Sequence, residues 1–580
     1  MTTNKKEIPR FSEKFFDSDE PITSLGAGEY GGKANGLISI SEILKSKFNA
    51  NDFSEIIVNV PTMTVIPTGV FDEFMKKNDL YKIIDAGLPD DRIALSFQKA
   101  ELPFGILGDL RTLISKVKSP LAVRSSSMLE DALHEPFAGI YSTKMTPNNQ
   151  PDIDTRFRKL IEAIKLVYAS VYFKSARDYM AATNHKIEEE KMAVIIQEIV
   201  GNRNGDNFYP EVSGVARSYN FYPFGNAKPE NGVVNLAFGL GKTIVDGGIS
   251  WVYSPDLPKE SPPYANVGEL LKQTQTEFWS VNMGKAPAYD PINETEFMNQ
   301  YNITEAEKDE TLRYVVSTYL AESGRLSIGV GSPGPRVLNF GYLLVLNDIP
   351  LNNLIKNLLA ICEEALDSPV EIEFAVTFNP TRFGFLQVRP MVVSDEEIEV
   401  TDDELKNDNL IIASKRVLGN GIVDSIKDIV FVNPDNFEAK YTPKIADELE
   451  IINKKLVSEN KQYLLIGFGR WGSSDPWLGI PVNWGQVSGA KVILETAIEK
   501  LNVEFSQGSH FFHNLTSFNV SYFSVNMGDE IQPDWNWLNQ QKADQEMRFV
   551  KHINLSSPLV IKVDGRSGRG VIFKPEIIKQ

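Results

Sequence analysis

PLAVRSSSMLEDALHEPFAG occupies Pro120–Gly139. Its apolar opening, Pro120–Val123, reads as the end of a buried strand. The strand runs straight into Arg124, then Ser125, Ser126 and Ser127, then the acidic pair Glu130–Asp131. An arginine at the mouth of a strand, followed by hydroxyls and backbone N–H groups, suits a polyphosphate. The guanidinium donates to two oxygens at once and keeps its charge at any working pH. Taken alone, the segment also reads as a surface turn carrying a solvated arginine.

Upstream, LGAGEYGGKANGLISISEIL spans Leu25–Leu44. Its glycines open an apolar helical pattern, and Gly26-x-Gly28-x-x-Gly31 has dinucleotide-fingerprint spacing. No convincing strand precedes it, which argues against a βαβ unit. Lys33, beside Gly31–Gly32, fits a phosphate contact at a helix N-terminus, where unpaired N–H groups and the dipole favour anions. A glycine turn before an amphipathic helix is the plainer alternative. Downstream, Met192–Val200, MAVIIQEIV, is a dense apolar strand with one polar pair, Gln197–Glu198. That pair either faces a ligand or marks the solvent end of a core strand. Gly241-Lys242-Thr243 invites a Walker A reading, but Leu236 stands where the first glycine is required.

VEIEFAVTFNPTRFGFLQVRP, Val370–Pro390, reads as two alternating strands about a turn near Asn379–Thr381. Side chains two apart share a face, so Glu371 joins Glu373 and Gln387 joins Arg389. A hairpin symmetric about Pro380 sets Glu373 opposite Gln387 and Glu371 opposite Arg389. Hard oxygen ligands there suit Mg²⁺ shared with ATP phosphates, and an arginine beside them offsets charge on a transferred phosphoryl group. A solvated cross-strand salt bridge is the alternative.

In this order the segments resemble the nucleotide-binding domain of the phosphoenolpyruvate synthase and pyruvate phosphate dikinase family. The resemblance rests on GGKANGL at Gly31–Leu37, VRSS with ED and FAG, QEIV at Gln197–Val200, SGVARS at Ser213–Ser218, and IE with LQVRP. It covers about residues 20–395. It implies an α+β fold with an ATP-grasp-type nucleotide-binding domain over residues 1–395; residues 255–330, Pro- and Asn-rich early and then a polar helical run at Thr304–Glu322, read as an insertion in it. The resemblance also implies ATP and Mg²⁺ as cofactors. By the same resemblance, Lys33 and Arg124 hold the phosphates, and Gln197, Glu198, Ile199 and Val200 line the adenine. Glu373 and Gln387 ligate Mg²⁺, and Arg389, with Arg124, acts at the transferred group. The chain departs from the family in two notable places. Arg217 replaces an aromatic residue, and Lys242 replaces the glutamate of GLGE.

At 580 residues the chain exceeds one core, and its net charge of −18 argues against a general nucleic-acid or anionic-membrane binder. A single cysteine, Cys362, excludes a disulfide framework. The N-terminus lacks the apolar run of a signal peptide, so a cytoplasmic location is expected. Residues 396–409 read as an acidic linker, and 410–580 as a smaller α/β C-terminal domain of unknown role. About 170 residues are too few for the family's pyruvate-binding barrel. None of the five histidines, His134, His185, His510, His513 and His552, sits in the phosphohistidine motif of the family's swivelling domain. Arg470, His510, Arg566 and Arg569 lie in glycine-rich turns or beside them and are candidates for a second anion site. The resemblance implies an ATP-dependent phosphotransferase, a kinase acting on a histidine or an unidentified acceptor, which would be a partner protein or a small molecule. The alternative is a non-catalytic ATP-binding regulatory module, and an ATP-grasp ligase is a third option.

Overall fold

The computed structural model describes residues 8–17, 20–84, 86–130, 139–181, 186–260, 267–391, 393, 398–473, 475–498 and 509–575. Helices and sheets are mixed throughout, and no helix among the described residues is long and apolar enough to cross a membrane.

In chain order the first half contains β1 (Ile22–Ser24), α1 (Gly32–Lys47), β2 (Met63–Ile66) and β3 (Leu121–Ser127). They are followed by β4 (Lys144–Thr146), α2 (Ile153–Ser170) and β5 (Met192–Glu198). These five strands form one sheet in the order β1-β2-β5-β3-β4. β1 pairs in parallel with β2 across α1, so a strand does precede the glycine loop, contrary to the sequence expectation. Its three residues, Ile-Thr-Ser, are too few to show a periodicity. α1 forms because Ala34, Leu37 and Ile40 recur on one face and are buried, while Lys45 and Lys47 complement the dipole in its last turn.

Next come β6 (Val212–Arg217), β7 (Val233–Ala237), β8 (Glu277–Asn282), β9 (Met298–Asn302), α3 (Leu351–Leu366), β10 (Val370–Thr377) and β11 (Arg382–Pro390). β7, β6, β10 and β11 are consecutive in a second, six-stranded sheet, and β8 pairs with β9 in a third. The expected helix over Thr304–Glu322 is absent. Two 3₁₀ turns, Ile303–Asp309 and Thr311–Tyr314, lead into a strand at Val316–Leu320. Val315 and Val316 are fully buried there, and the strand pairs on both sides, so sheet pairing overrides local helical preference.

β12 (Asp428–Val432), α4 (Thr442–Ser458), β13 (Tyr463–Phe468), β14 (Ala490–Thr496), α5 (His510–Ser517), β15 (Ser521–Val525) and β16 (Val550–Asn554) follow. β12, β13, β14 and β15 are parallel neighbours in a seven-stranded sheet. This part meets the first half through apolar side chains. One apolar cluster runs from Phe71, Phe74 and Tyr168 of the first half to Leu465, Trp484 and Phe511 of the second. The rings of Tyr179 and Phe518 lie 5.6 Å apart across it, and Lys174 pairs with Glu450 on its rim at 2.5 Å. A continuous apolar junction of this kind fixes the two parts relative to each other.

Candidate functional site

The β10–β11 hairpin pairs Glu371 with Arg389 and Glu373 with Gln387, then shifts by one residue so that Phe374 meets Phe385. The shift leaves Leu386 as the extra residue of a bulge, a device that re-aims neighbouring groups. Its carbonyl accepts from Arg124 Nη1 at 2.9 Å. Arg124 reaches it because alternation along β3 sends Leu121 and Val123 into the core and leaves Ala122 and Arg124 on the cavity side.

Arg124 therefore joins the two sheets. Nη1 also donates to Gln197 Oε1 on β5 at 3.2 Å, and Nη2 donates to Gln387 Oε1 at 3.1 Å. The Glu373 carboxylate stands 3.8 Å from Arg124 and 3.8 Å from Arg389. Glu371 takes a different part. Its two oxygens accept from Arg389 Nε at 2.6 Å and from Arg217 Nε at 2.5 Å. All three groups are buried, so the pair is a core network and not the solvated salt bridge that a surface hairpin would carry. Arg217, the residue that departs from the aromatic pattern, is explained by this pairing.

The serines behave differently from expectation. Ser125, Ser126 and Ser127 are fully buried and act inside the fold. Ser126 Oγ accepts from the Ala34 amide in the first turn of α1 at 2.9 Å and donates to the Tyr30 carbonyl. Ser125 Oγ and the Ser127 amide both donate to Glu130, each at 2.8 Å. Glu130 in turn receives Lys33 Nζ at 2.7 Å. The loop is thus a clamp that holds Lys33 at the cavity wall, with Gly31 pressed so closely on Ser126 that a Cβ would lie 1.8 Å from its carbonyl oxygen. Asp131, His134, Phe137, Ala138 and His185 lie outside the described residues.

Lys33, Arg124, Gln197, Glu198, Ile199, Val200, Glu373 and Gln387 line one cavity of about 430 Å³. That size suits a nucleotide. At the end of β5 the Glu198 amide donates to Thr62 O and the Ile199 amide to Pro120 O, both at 3.0 Å, so these two N–H groups are engaged within the fold. Arg389 is buried behind the cavity wall and reaches it through Glu373.

The same cavity is lined by His510, which opens α5 in the C-terminal half. Gly139 packs on it so tightly that a Cβ would sit 2.4 Å from Nδ1, and Gly139 has φ +68°, a conformation that glycine tolerates. Burial, and then the positive charge of Arg389, hold the His510 imidazole at a pKa of about 3. Its neighbours on α5 reinforce the placement, since Phe512 lies under the Arg217 guanidinium at 5.0 Å.

Lys242 Nζ pairs with Asp246 one helical turn on at 2.6 Å, and both line the cavity. The loop that follows is pinned from the C-terminal half. Arg470 Nη1 donates to Gly247 O at 2.9 Å and to Gly248 O at 3.0 Å. The supposed second anion site does not assemble. Arg470 serves this loop, while Arg569 pairs with Asp402 at 3.0 Å. His552 on β16 is structural, buried with Nε2 2.7 Å from Asp428.

For a metal, the Glu373 carboxylate and the Gln387 amide oxygen face each other across the hairpin at the cavity wall, Glu198, Asp246 and Glu294 also line the cavity, and no cluster of three or more His, Cys, Asp or Glu suited to a metal occurs among the described residues. The Glu373–Gln387 pair of hard oxygens is too small for an all-protein cage and fits Mg²⁺, which keeps waters and shares substrate phosphates.

A family model described as pyruvate phosphate dikinase, AMP/ATP-binding domain, matches residues 28–410. A 141-residue stretch is 28% identical to a phosphoenolpyruvate synthase of Aeropyrum pernix, covering 24% of this chain and 15% of the length of that relative.

Proposed function

Because the chain belongs to the pyruvate phosphate dikinase AMP/ATP-binding domain family, we propose that it is an ATP-dependent phosphotransferase whose nucleotide occupies the 430 Å³ cavity. One observation carries this reading. Lys33, Arg124, Glu373, Gln387 and a histidine from the other half of the chain line the same space. In it, residues 1–395 form an ATP-grasp-type unit and 410–580 an added domain that closes one wall.

Lys33 and Arg124 supply positive charge for the phosphates, and the adenine lies along Gln197–Val200. Glu373 and Gln387 would hold Mg²⁺. When bound, that ion neutralises charge on the phosphate oxygens. Arg389 stands behind Glu373 and stabilises charge that develops on the moving group.

His510 is the acceptor within the chain that this geometry favours. With its pKa near 3 the imidazole is neutral at working pH, and a nitrogen lone pair is what attack on phosphorus requires. A fixed apolar junction distinguishes this arrangement from one in which the histidine must travel.

The second reading, a regulatory module that binds ATP without turning it over, is favoured by one feature, Lys242 tied to Asp246 where the family resemblance expects a glutamate. Chromatography of products after incubation with Mg²⁺ and ATP separates the two. Formation of AMP or ADP in proportion to protein supports phosphotransfer, and saturable binding with unchanged ATP supports the regulatory reading.

A further inference from the structure

Glu294 lines the nucleotide cavity, and the chemistry above gives it no part. It stands in the connection between β8 and β9, inside the stretch near 255–330 that reads as an insertion. That connection is held from β4. Lys144 Nζ donates to the carbonyls of Asp290, Pro291 and Asn293 at 3.2, 3.1 and 2.8 Å, and pairs with Glu296 at 2.6 Å. Lys144 and Glu296 are both buried, so the backbone on either side of Glu294 is fixed. A side chain carried on such a segment is preorganised for a ligand.

The place of Glu294 along the cavity follows from its neighbours. At one end Met145, Ile199, Leu240 and Met298 line the cavity and pack in one apolar cluster, a slot for a flat base. Lys33, Arg124 and His510 line the part that takes the phosphates. Glu294 is tied to both. Its Oε1 accepts from the Thr143 amide at 3.2 Å, two residues from Met145. The charges of Lys242 and Asp246 act on it, and Asp246 also acts on His510. Glu294 thus falls between base and phosphates, where a nucleotide carries its ribose.

The cations beside it are committed elsewhere, Lys242 to Asp246 at 2.6 Å and Lys144 to Glu296. One bond from an amide uses only part of what a carboxylate accepts. The rest suits a neutral donor such as a hydroxyl, whereas a phosphate would be repelled. A site built to bond a hydroxyl also rejects the analogue that lacks it.

We propose that Glu294 selects the sugar of the nucleotide, its carboxylate accepting from a ribose hydroxyl. This role rests on the nucleotide reading above.

Isothermal titration of the full chain with Mg²⁺-ATP and with its 2′-deoxy and 3′-deoxy analogues tests it. In the parent, at least one analogue is expected to bind about tenfold more weakly than ATP. In Glu294→Ala, ATP should fall to the level of that analogue, with the analogue itself unchanged. Glu294→Gln, which keeps an oxygen for the Thr143 amide, serves where alanine unfolds the chain. Its preference for ATP should drop about threefold, and an unchanged preference overturns the assignment. Equal affinities for all three nucleotides in the parent overturn it too, and leave the nucleotide reading standing. So does an equal loss for all three in Glu294→Ala, or a loss seen only with Mg²⁺ present, which would make Glu294 a metal ligand. A parent that binds none of the three sinks the nucleotide reading and this role together.

Discussion

Glu371 and Arg389 face each other across the β10–β11 hairpin, both buried, and Glu371 spends its second oxygen on Arg217 from the next strand. One carboxylate thus compensates two guanidiniums on three adjacent strands. Replacing it with alanine removes the nearest counter-charge of both buried cations, which costs about 3–5 kcal/mol. Urea unfolding of Glu371→Ala measures this, and a loss under about 1 kcal/mol would contradict the assigned role.

Glu373 differs from Glu371 by facing the cavity. In Glu373→Ala the dependence of ATP affinity on Mg²⁺ should vanish while the fold is kept, read by titration with and without the ion. Retained Mg²⁺ dependence would remove Glu373 from the metal site.

Lys33→Ala should weaken ATP about ten- to a hundredfold, the worth of one charge-assisted hydrogen bond, and leave adenosine affinity unchanged. Equal weakening of both ligands would mean that Lys33 shapes the pocket without touching phosphate. The same variant strips Glu130 of its cation, so some loss of stability accompanies it.

Much of this site was legible in advance, and the reasons are physical. Period-two alternation set Glu371, Glu373, Gln387 and Arg389 in opposition, because a register slip would have moved every apolar partner off the core. Lys33 and Arg124 were visible as cations beside glycine and strand signals. The serines misled because hydroxyls next to an arginine look like phosphate ligands, whereas Ser125 and Ser127 bind Glu130 and Ser126 caps α1. Nothing local encodes the approach of His510 to Gly139, the clasp of Arg470 on Gly247, or the pairing of Arg217 with Glu371. Those are contacts between distant segments, fixed only when the two halves pack. The bulge at Leu386 escaped notice because one extra residue leaves the alternation intact on either side.

His510 should leave a signature in the pH dependence of stability. Its folded pKa of about 3 lies below the ordinary 6.5, so between those values the unfolded chain takes up a proton that the native protein does not. The contribution is complete above pH 6.5 and is lost as pH falls toward 3. His510→Asn should therefore narrow the stability difference between pH 7 and pH 5. An unchanged difference would mean that the imidazole is not held neutral.

Glu495 works in the opposite sense. Burial raises its carboxyl to a pKa of about 7, beside Tyr522, whose hydroxyl donates to it. The native protein keeps a proton that the unfolded chain releases above about 4.5, so this contribution is complete at low pH and is lost as pH rises through 7. Glu495→Gln should gain stability on the parent at pH 8 relative to pH 5. No such gain would place a charged carboxylate there in the folded state.

The central claim, that ATP in this cavity yields a phosphoryl group to the chain's own histidine, is tested most directly with ATP labelled at the β and γ positions. The purified protein is incubated with labelled ATP and Mg²⁺, and protein-bound label is followed beside Glu373→Ala and His510→Asn. Acid-labile label on the parent, absent from both variants, is the predicted result. Label that persists in His510→Asn, or its absence from a parent protein that binds ATP, would contradict the account.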